Sequence, residues 1–317
     1  IELLVESVEA AKSRRVHSVN ASVNSWVSHY YVKNSLGVDC SVKSTYFSLS
    51  VMVTLLNGEM VSGYDYQVER SVKSVSPVEI GRNALNQAVK LLNPVKIETK
   101  EIPVIFDFRP AGFLIGSSIA SASCADKIQL GRSYLKGLFN KQIAVEELTV
   151  EDNGLIDGWP NSLPFDLEGA PRRPVKILEK GVLKAKLHNS YTASLEGEEN
   201  TGHASAGVNI PSVSPSNILI KPGDMTRDEI LNVREGLLVL DLWYGPDIST
   251  GRFSFPVPRA IRVVNGEERE AVKGCLIAGS IRELLKNIDG ITREVQRTGG
   301  LQSPMVRVSK VRVAGGR

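Results

Sequence analysis

The chain has 317 residues, 42% of them hydrophobic and 23% charged, with a formal net charge of +3. This is an ordinary profile for a globular protein long enough to hold two cores. So small a charge gives no basic stripe for nucleic acid, no run of about eighteen uncharged apolar residues offers a membrane helix, and no signal peptide is visible.

The chain opens without Met on Ile1-Glu-Leu-Leu-Val-Glu-Ser-Val-Glu-Ala10, an amphipathic helix entered midway, which reads as a truncated N-terminus. Val19 to Val27 alternates small apolar with mostly polar residues, the period of a half-buried strand, and Asn34-Ser-Leu-Gly37 is a turn. Thr45 to Leu56 and Glu59 to Tyr66 read as a hairpin around Asn57-Gly58. Ser76-Pro-Val-Glu79 has the pattern of a capping box with Pro at the first helical position. The helix it starts repeats Ile80, Ala84, Ala88 and Leu91 on one face and ends before Asn93-Pro94.

The polar run Lys96 to Glu101 is the linker expected between two domains, residues 1–96 and 97–317. A strand from Ile102 to Phe108 then feeds a helix opening at Pro110. The rest is strand-rich and punctuated by Gly and Pro. Thr226-Arg-Asp-Glu229 caps a short helix ending near Gly236. Ile281, Leu284, Leu285 and Ile288 mark the last helix before Gly290, and Met305 to Val313 alternates as a closing strand. Strands mixed with separate helices, without a βαβ rhythm, argue for an α+β fold.

Chemistry is sparse. Of His17, His29, His188 and His203, none lies four or five residues from another, so no helical metal pair exists. His203 sits in the polar loop Asn200-Thr-Gly-His-Ala-Ser, of the kind that lines clefts. Asp166 and Glu168 would point the same way on an extended segment, but anchoring the turn Gly169-Ala-Pro171 is the simpler role. Asp166, Glu168, Asn200, Thr201 and His203 are therefore the candidate cleft or loop residues. Cys40, Cys124 and Cys275 are widely spaced and form no CxxC pair, which fits free thiols in a reducing cytoplasm. Arg14-Arg15 and Arg172-Arg173 read as solvated surface, as do Arg307, Lys310 and Arg312 on one strand. No nucleophile elbow, P-loop or dinucleotide fingerprint occurs.

The segment from Pro110 to Asp126 resembles the zinc-motif segment of the TldD peptidases, whose His-Glu-x-x-x-His would fall on positions 116, 117 and 121. Here those positions read Gly116, Ser117 and Ser121, which supply neither imidazole nor carboxylate. Further segments extend the similarity to the TldD/PmbA family in order along the chain: Pro164 to Pro171, Gly181 to Leu183, Asn189 to Ala193, Thr201-Gly202, Ser216 to Gly223, Thr250 to Ser254 and Ile277 to Gly279. The C-terminal Cys that completes the metal site in TldD-like chains has no counterpart in Gln296 to Gly300, and Cys275 lies too early to replace it.

The resemblance implies a TldE (PmbA)-type subunit with no catalytic or metal residue of its own. It implies zinc in a TldD-type partner, a heterodimer with that partner or a homodimer, and peptide or unfolded-protein substrates handled in the cytoplasm without nucleic acid or membrane. An extended peptide could align on the strand-rich region by β-addition. Two alternatives stand beside this: a hydrolase in its own right built from His203, His188 and Asp166, or a binding protein modulating DNA gyrase.

Overall fold

A computed structural model of the chain describes residues 1–207 and 211–315. α1 (Glu2–Ala10) leads into a long hairpin of β1 (Val16–Lys33) and β2 (Asp39–Asn57), and β3 (Glu59–Glu69) completes an antiparallel sheet in that order. Both turns follow local chemistry. Asn34 Oδ1 accepts from the backbone N–H of Leu36 (2.9 Å) and Val38 (3.2 Å). Gly58, at φ +76°, lets Asn57 pair with Glu59.

α2 (Pro77–Lys90) covers this sheet, packing Ile80, Ala84 and Ala88 with Leu49, Val51 and Val53. Gly63 of β3 permits the approach, since a Cβ there would lie 2.1 Å from Ala84 O and 2.3 Å from Ala88 N. The expected capping box at Ser76 does not form. The Ser76 N–H goes instead to Gln67 Oε1 on β3 at 2.9 Å, so a tertiary acceptor takes the place of Glu79.

The Lys96 to Glu101 run is less free than a linker. Val95 exchanges backbone bonds with Ala271 O (2.8 Å) and the Lys273 N–H (3.0 Å), Ile97 is buried, and Lys100 and Glu101 open β4 (Lys100–Phe106). A helical run follows: α3 (Phe108–Ala111), a π-helical turn over Gly112–Ser117, α4 (Ser118–Ala122) and, after a break, α5 (Ala125–Gln129). It begins two residues before Pro110 because Asp107 Oδ1 accepts the Phe108 N–H at 3.0 Å and caps it.

The chain continues through β5 (Val150–Asp152), β6 (Val175–Glu179), β7 (Val182–Leu183), α6 (Ser190–Glu196), β8 (Ala204–Ser205), β9 (Ser212–Val213), β10 (Ile218–Ile220) and α7 (Arg227–Leu231). Then come β11 (Glu235–Asp241), β12 (Arg252–Pro256), β13 (Arg259–Val264), β14 (Glu267–Val272), β15 (Leu276–Ser280), α8 (Ile281–Lys286), β16 (Ile288–Thr298) and β17 (Leu301–Ala314).

Twelve of these strands form one sheet, ordered β14-β13-β11-β4-β17-β10-β5-β6-β7, with β15 and β16 also pairing β17 and β12 pairing β15. The β4–β11 and β10–β17 pairs are parallel. Val104 and Phe106 enter one buried cluster and Ile105 another, the alternation of a strand covered on both faces.

Two helix ends differ from expectation. The Thr226–Glu229 capping box forms, with both reciprocal bonds present (3.3 and 2.7 Å), but α7 stops at Leu231 because Glu235 already pairs with Val264 in the sheet. α8 stops at Lys286 because Ile288 pairs with Val308. The architecture is α+β, with a smaller N-terminal domain and a larger strand-rich C-terminal one.

Candidate functional site

Gly116 lies at the end of the π-helical turn and is buried against β10. A Cβ at this position would come 3.2 Å from Ile218 Cγ2 and 3.3 Å from Ile220 Cδ1 and Cγ1. Gly112, one turn earlier, sits as tightly on β17: a Cβ there would lie 2.8 Å from the Leu301 side chain. Ala120 and Ala122 are fully buried. The small residues of this helix therefore serve close packing within the chain's own core.

An imidazole at position 116 would have to displace β10. Ser117 and Ser121 are only half-buried and carry hydroxyls, poor ligands for zinc beside thiolate, imidazole or carboxylate. Among the described residues no group of three or more His, Cys, Asp or Glu side chains is placed to hold a metal ion. The residues at the three motif positions do not fit a zinc centre.

The five candidate loop residues are gathered into one polar knot beside β5 and β10. Asp166 is buried; its Oδ1 accepts from the N–H groups of Glu168 (2.9 Å) and Ala170 (3.0 Å), and its Oδ2 from Ala204 (2.8 Å). It thus shapes the turn at Gly169 (φ +80°) and ties it to β8. Glu168 Oε2 accepts from Ser190 N (2.9 Å) and Oγ (2.5 Å). Asn200 donates to Ser190 Oγ (3.0 Å) and accepts from the Gly202 N–H (2.9 Å).

Deeper in, His203 Nε2 donates to Asp152 Oδ1 (3.0 Å) and its Nδ1 meets Thr201 Oγ1 (2.8 Å). Asp152, wholly buried at the end of β5, also accepts from Ser216 N (2.6 Å) and Ser216 Oγ.

Thr201, His203 and Asp152 have the connectivity of a hydroxyl–imidazole–carboxylate relay. However, the Thr201 hydroxyl already accepts from the His188 N–H (2.7 Å) and lies 3.0 Å from His188 O, and all three side chains are buried. An attacking group needs an open approach to its hydroxyl; this one is built into the loop. Nor does the proposed His203, His188 and Asp166 constellation assemble: His203 pairs with Asp152, and among the described residues Asp166 bonds only backbone N–H groups. The His188 ring bonds Thr192 Oγ1 (3.3 Å), and burial pulls its pKa below the usual value, with Glu196 at 3.9 Å opposing the shift.

Two residues stand apart from what the sequence suggested. Asp152, the centre of the knot, carries no local signal. Arg172, read as solvated surface, instead lies inward, with its Nε and Nη1 buried and without hydrogen-bond partners among the described residues. Burial lowers its pKa, while the charges of Asp152 and Asp166 raise it. Of the other basic residues read as surface, Lys310 is exposed and pairs with Glu101, whereas the Arg307 side chain is largely covered, bonding Asp289 and the carbonyls of Glu229 and Ile230. Cys40 is half-buried, whereas burial pushes the Cys124 thiol up to about 12 and Cys275 up to about 11, leaving both unreactive.

Comparison with known proteins bears on the whole chain. Residues 99–315 match the PmbA/TldA metallopeptidase C-terminal domain, and residues 1–92 match the central domain of the same family. The chain is 30% identical to a metalloprotease PmbA homolog of Haemophilus influenzae, an alignment covering 99% of this chain and 69% of that protein. It spans only about half of two archaeal metalloproteases that it also resembles.

Among solved structures, a Thermotoga maritima protein described as a candidate modulator of a DNA gyrase superposes with a TM-score of 0.90 at 27% identity, over 99% of this chain and 73% of that one. TldE from Thermococcus kodakarensis gives 0.85 at 20% identity, over 99% and 73%, and shows the shared fold alone. With both domain models matched in order and a 30%-identical relative aligned almost end to end, the chain belongs to the PmbA/TldD family.

Proposed function

We propose that this chain is a TldE-type, non-catalytic subunit that acts with a zinc-bearing TldD-type partner on peptides in the cytoplasm, and that it holds no metal of its own. The observation that carries the reading is position 116. The residue corresponding to a metal-binding His is a glycine whose missing side chain is filled by Ile218 and Ile220, and positions 117 and 121 add only hydroxyls. Bond cleavage then depends on the partner's metal, and this chain contributes the surfaces that bind and orient the peptide. The polar knot fits such a role, since its buried hydrogen bonds hold three surface loops in one arrangement.

The test is to purify the chain alone, a TldD-type partner alone and the two together, and to measure zinc by mass spectrometry and peptide cleavage for each. The expected result is zinc and cleavage only where the partner is present, with both proteins eluting as one species. Stoichiometric zinc in this chain alone, or peptide cleavage by it alone, would overturn the proposal.

A further inference from the structure

Arg172 sits where the two domains meet. Its backbone N–H donates to Pro164 O (3.1 Å), and two glycines make room for it. A Cβ on Gly154 would lie 2.7 Å from Arg172 Cδ, and one on Gly202 would lie 2.8 Å from Arg172 Cα. The side chain borders a cavity of about 210 Å³, walled by Tyr30 and Ser44 of the β1–β2 hairpin and by Asn161, Ser205 and Ser214 of the larger domain. The hairpin is held over this cavity by its tip: a Cβ on Gly169 would come 2.5 Å from Val38 Cγ1 and 3.3 Å from Val32 Cγ1.

Arg172 is half-buried, and two of its three guanidinium nitrogens, Nε and Nη1, are shut off from water without a hydrogen bond in return, which is costly for a charged group. The charges of Asp152 and Asp166 offset part of this cost, but neither acid gives Arg172 a hydrogen bond. Asp152 already accepts from His203 and Ser216, and Asp166 from three backbone N–H groups. No ion pair to Arg172 is formed among the described residues. An anion entering the cavity would supply that partner.

Its charge is limited. A single guanidinium already under the influence of the Asp152 and Asp166 charges suits a monoanion better than a dianionic phosphate, and the planar fork of arginine matches a carboxylate with two parallel bonds. The wall of hydroxyls and one amide can serve peptide N–H and C=O groups next to that carboxylate.

We propose that this cavity binds the C-terminal carboxylate of a peptide, with Arg172 as its bidentate anchor and the β1–β2 hairpin as its roof. The inference rests on the reading that the protein handles peptides.

The test uses calorimetric titration of the whole chain with three alanine-based tetrapeptides: a free acid, the same peptide amidated, and an amidated peptide with one internal Glu. The free acid should bind about ten- to a hundred-fold more tightly than either amide, the range that charge-assisted bonds give. Arg172→Gln should abolish this preference without lowering the melting temperature, since a half-buried charge that forms no ion pair is removed. Arg172→Lys, which keeps the charge but loses the fork, should reduce the preference.

Equal binding of free acid and amide, preference retained in both variants, or equal binding of the Glu-containing amide would overturn the proposal. The zinc and co-elution measurements described above are made on the same samples. A chain that pairs with its partner and is free of zinc, yet does not discriminate the peptides, sinks the carboxylate site alone. A zinc-loaded chain sinks the subunit reading.

Discussion

Replacing Asp152 by alanine is the sharpest test of whether the His203 cluster is scaffold or machinery. Asp152 is wholly buried and accepts from His203 Nε2, Ser216 N and Ser216 Oγ. The Ser216 hydroxyl can rotate toward another acceptor, but the imidazole N–H and the backbone N–H are fixed. Each stranded buried donor costs about 1–3 kcal/mol, so Asp152→Ala should destabilise the larger domain by about 2–6 kcal/mol. That is a large share of the roughly 5–15 kcal/mol that holds a folded protein together.

Asp152→Asn keeps one acceptor oxygen and should fall between alanine and wild type. The assay is urea unfolding followed by tryptophan fluorescence in a Trp26→Phe background. Trp159 and Trp243 then report on the larger domain alone, and the midpoint is compared at constant slope. A shift under about 0.5 kcal/mol for Asp152→Ala, the size expected of an ordinary surface change, would refute the argument that this network holds the loops.

Gly63→Ala should destabilise the smaller domain by about 1–3 kcal/mol or more, because the new Cβ meets backbone atoms of α2 that have no rotamer to yield; fluorescence of Trp26, with the other two tryptophans changed to Phe, reads it. His188 supplies a pH dependence. Its folded pKa is held down by burial, so below about pH 6.5 the unfolded chain takes up a proton that the folded chain refuses. Stability from this site is therefore full above that pH and declines as the solution is acidified. His188→Gln should flatten the melting temperature between about pH 6.5 and 5, and an unchanged acid slope would count against it.

Local signals carried much of this protein. The Asn57-Gly58 turn, the Asn34 turn, the apolar face of α2 and the Thr226–Glu229 box all depend on atoms within a few residues of one another, and the structure keeps each of them. The residues at positions 116, 117 and 121 were equally legible, because lacking an imidazole or a carboxylate is a property of residue type. Asp166 likewise anchors the Gly169 turn through its own neighbours, the simpler of the two roles open to it in sequence.

Tertiary structure decided the rest, because partners distant in the chain compete with local ones. Gln67 took over the N–H of Ser76, and sheet pairing ended α7 short of Gly236 and α8 short of Ile288. Ile218 and Ile220, a hundred positions away, filled the space beside Gly116. Asp152 became the hub of the polar knot and Arg172 a half-buried cation only once loops far apart in the chain were packed together, and no window of sequence contains the burial that makes either residue consequential.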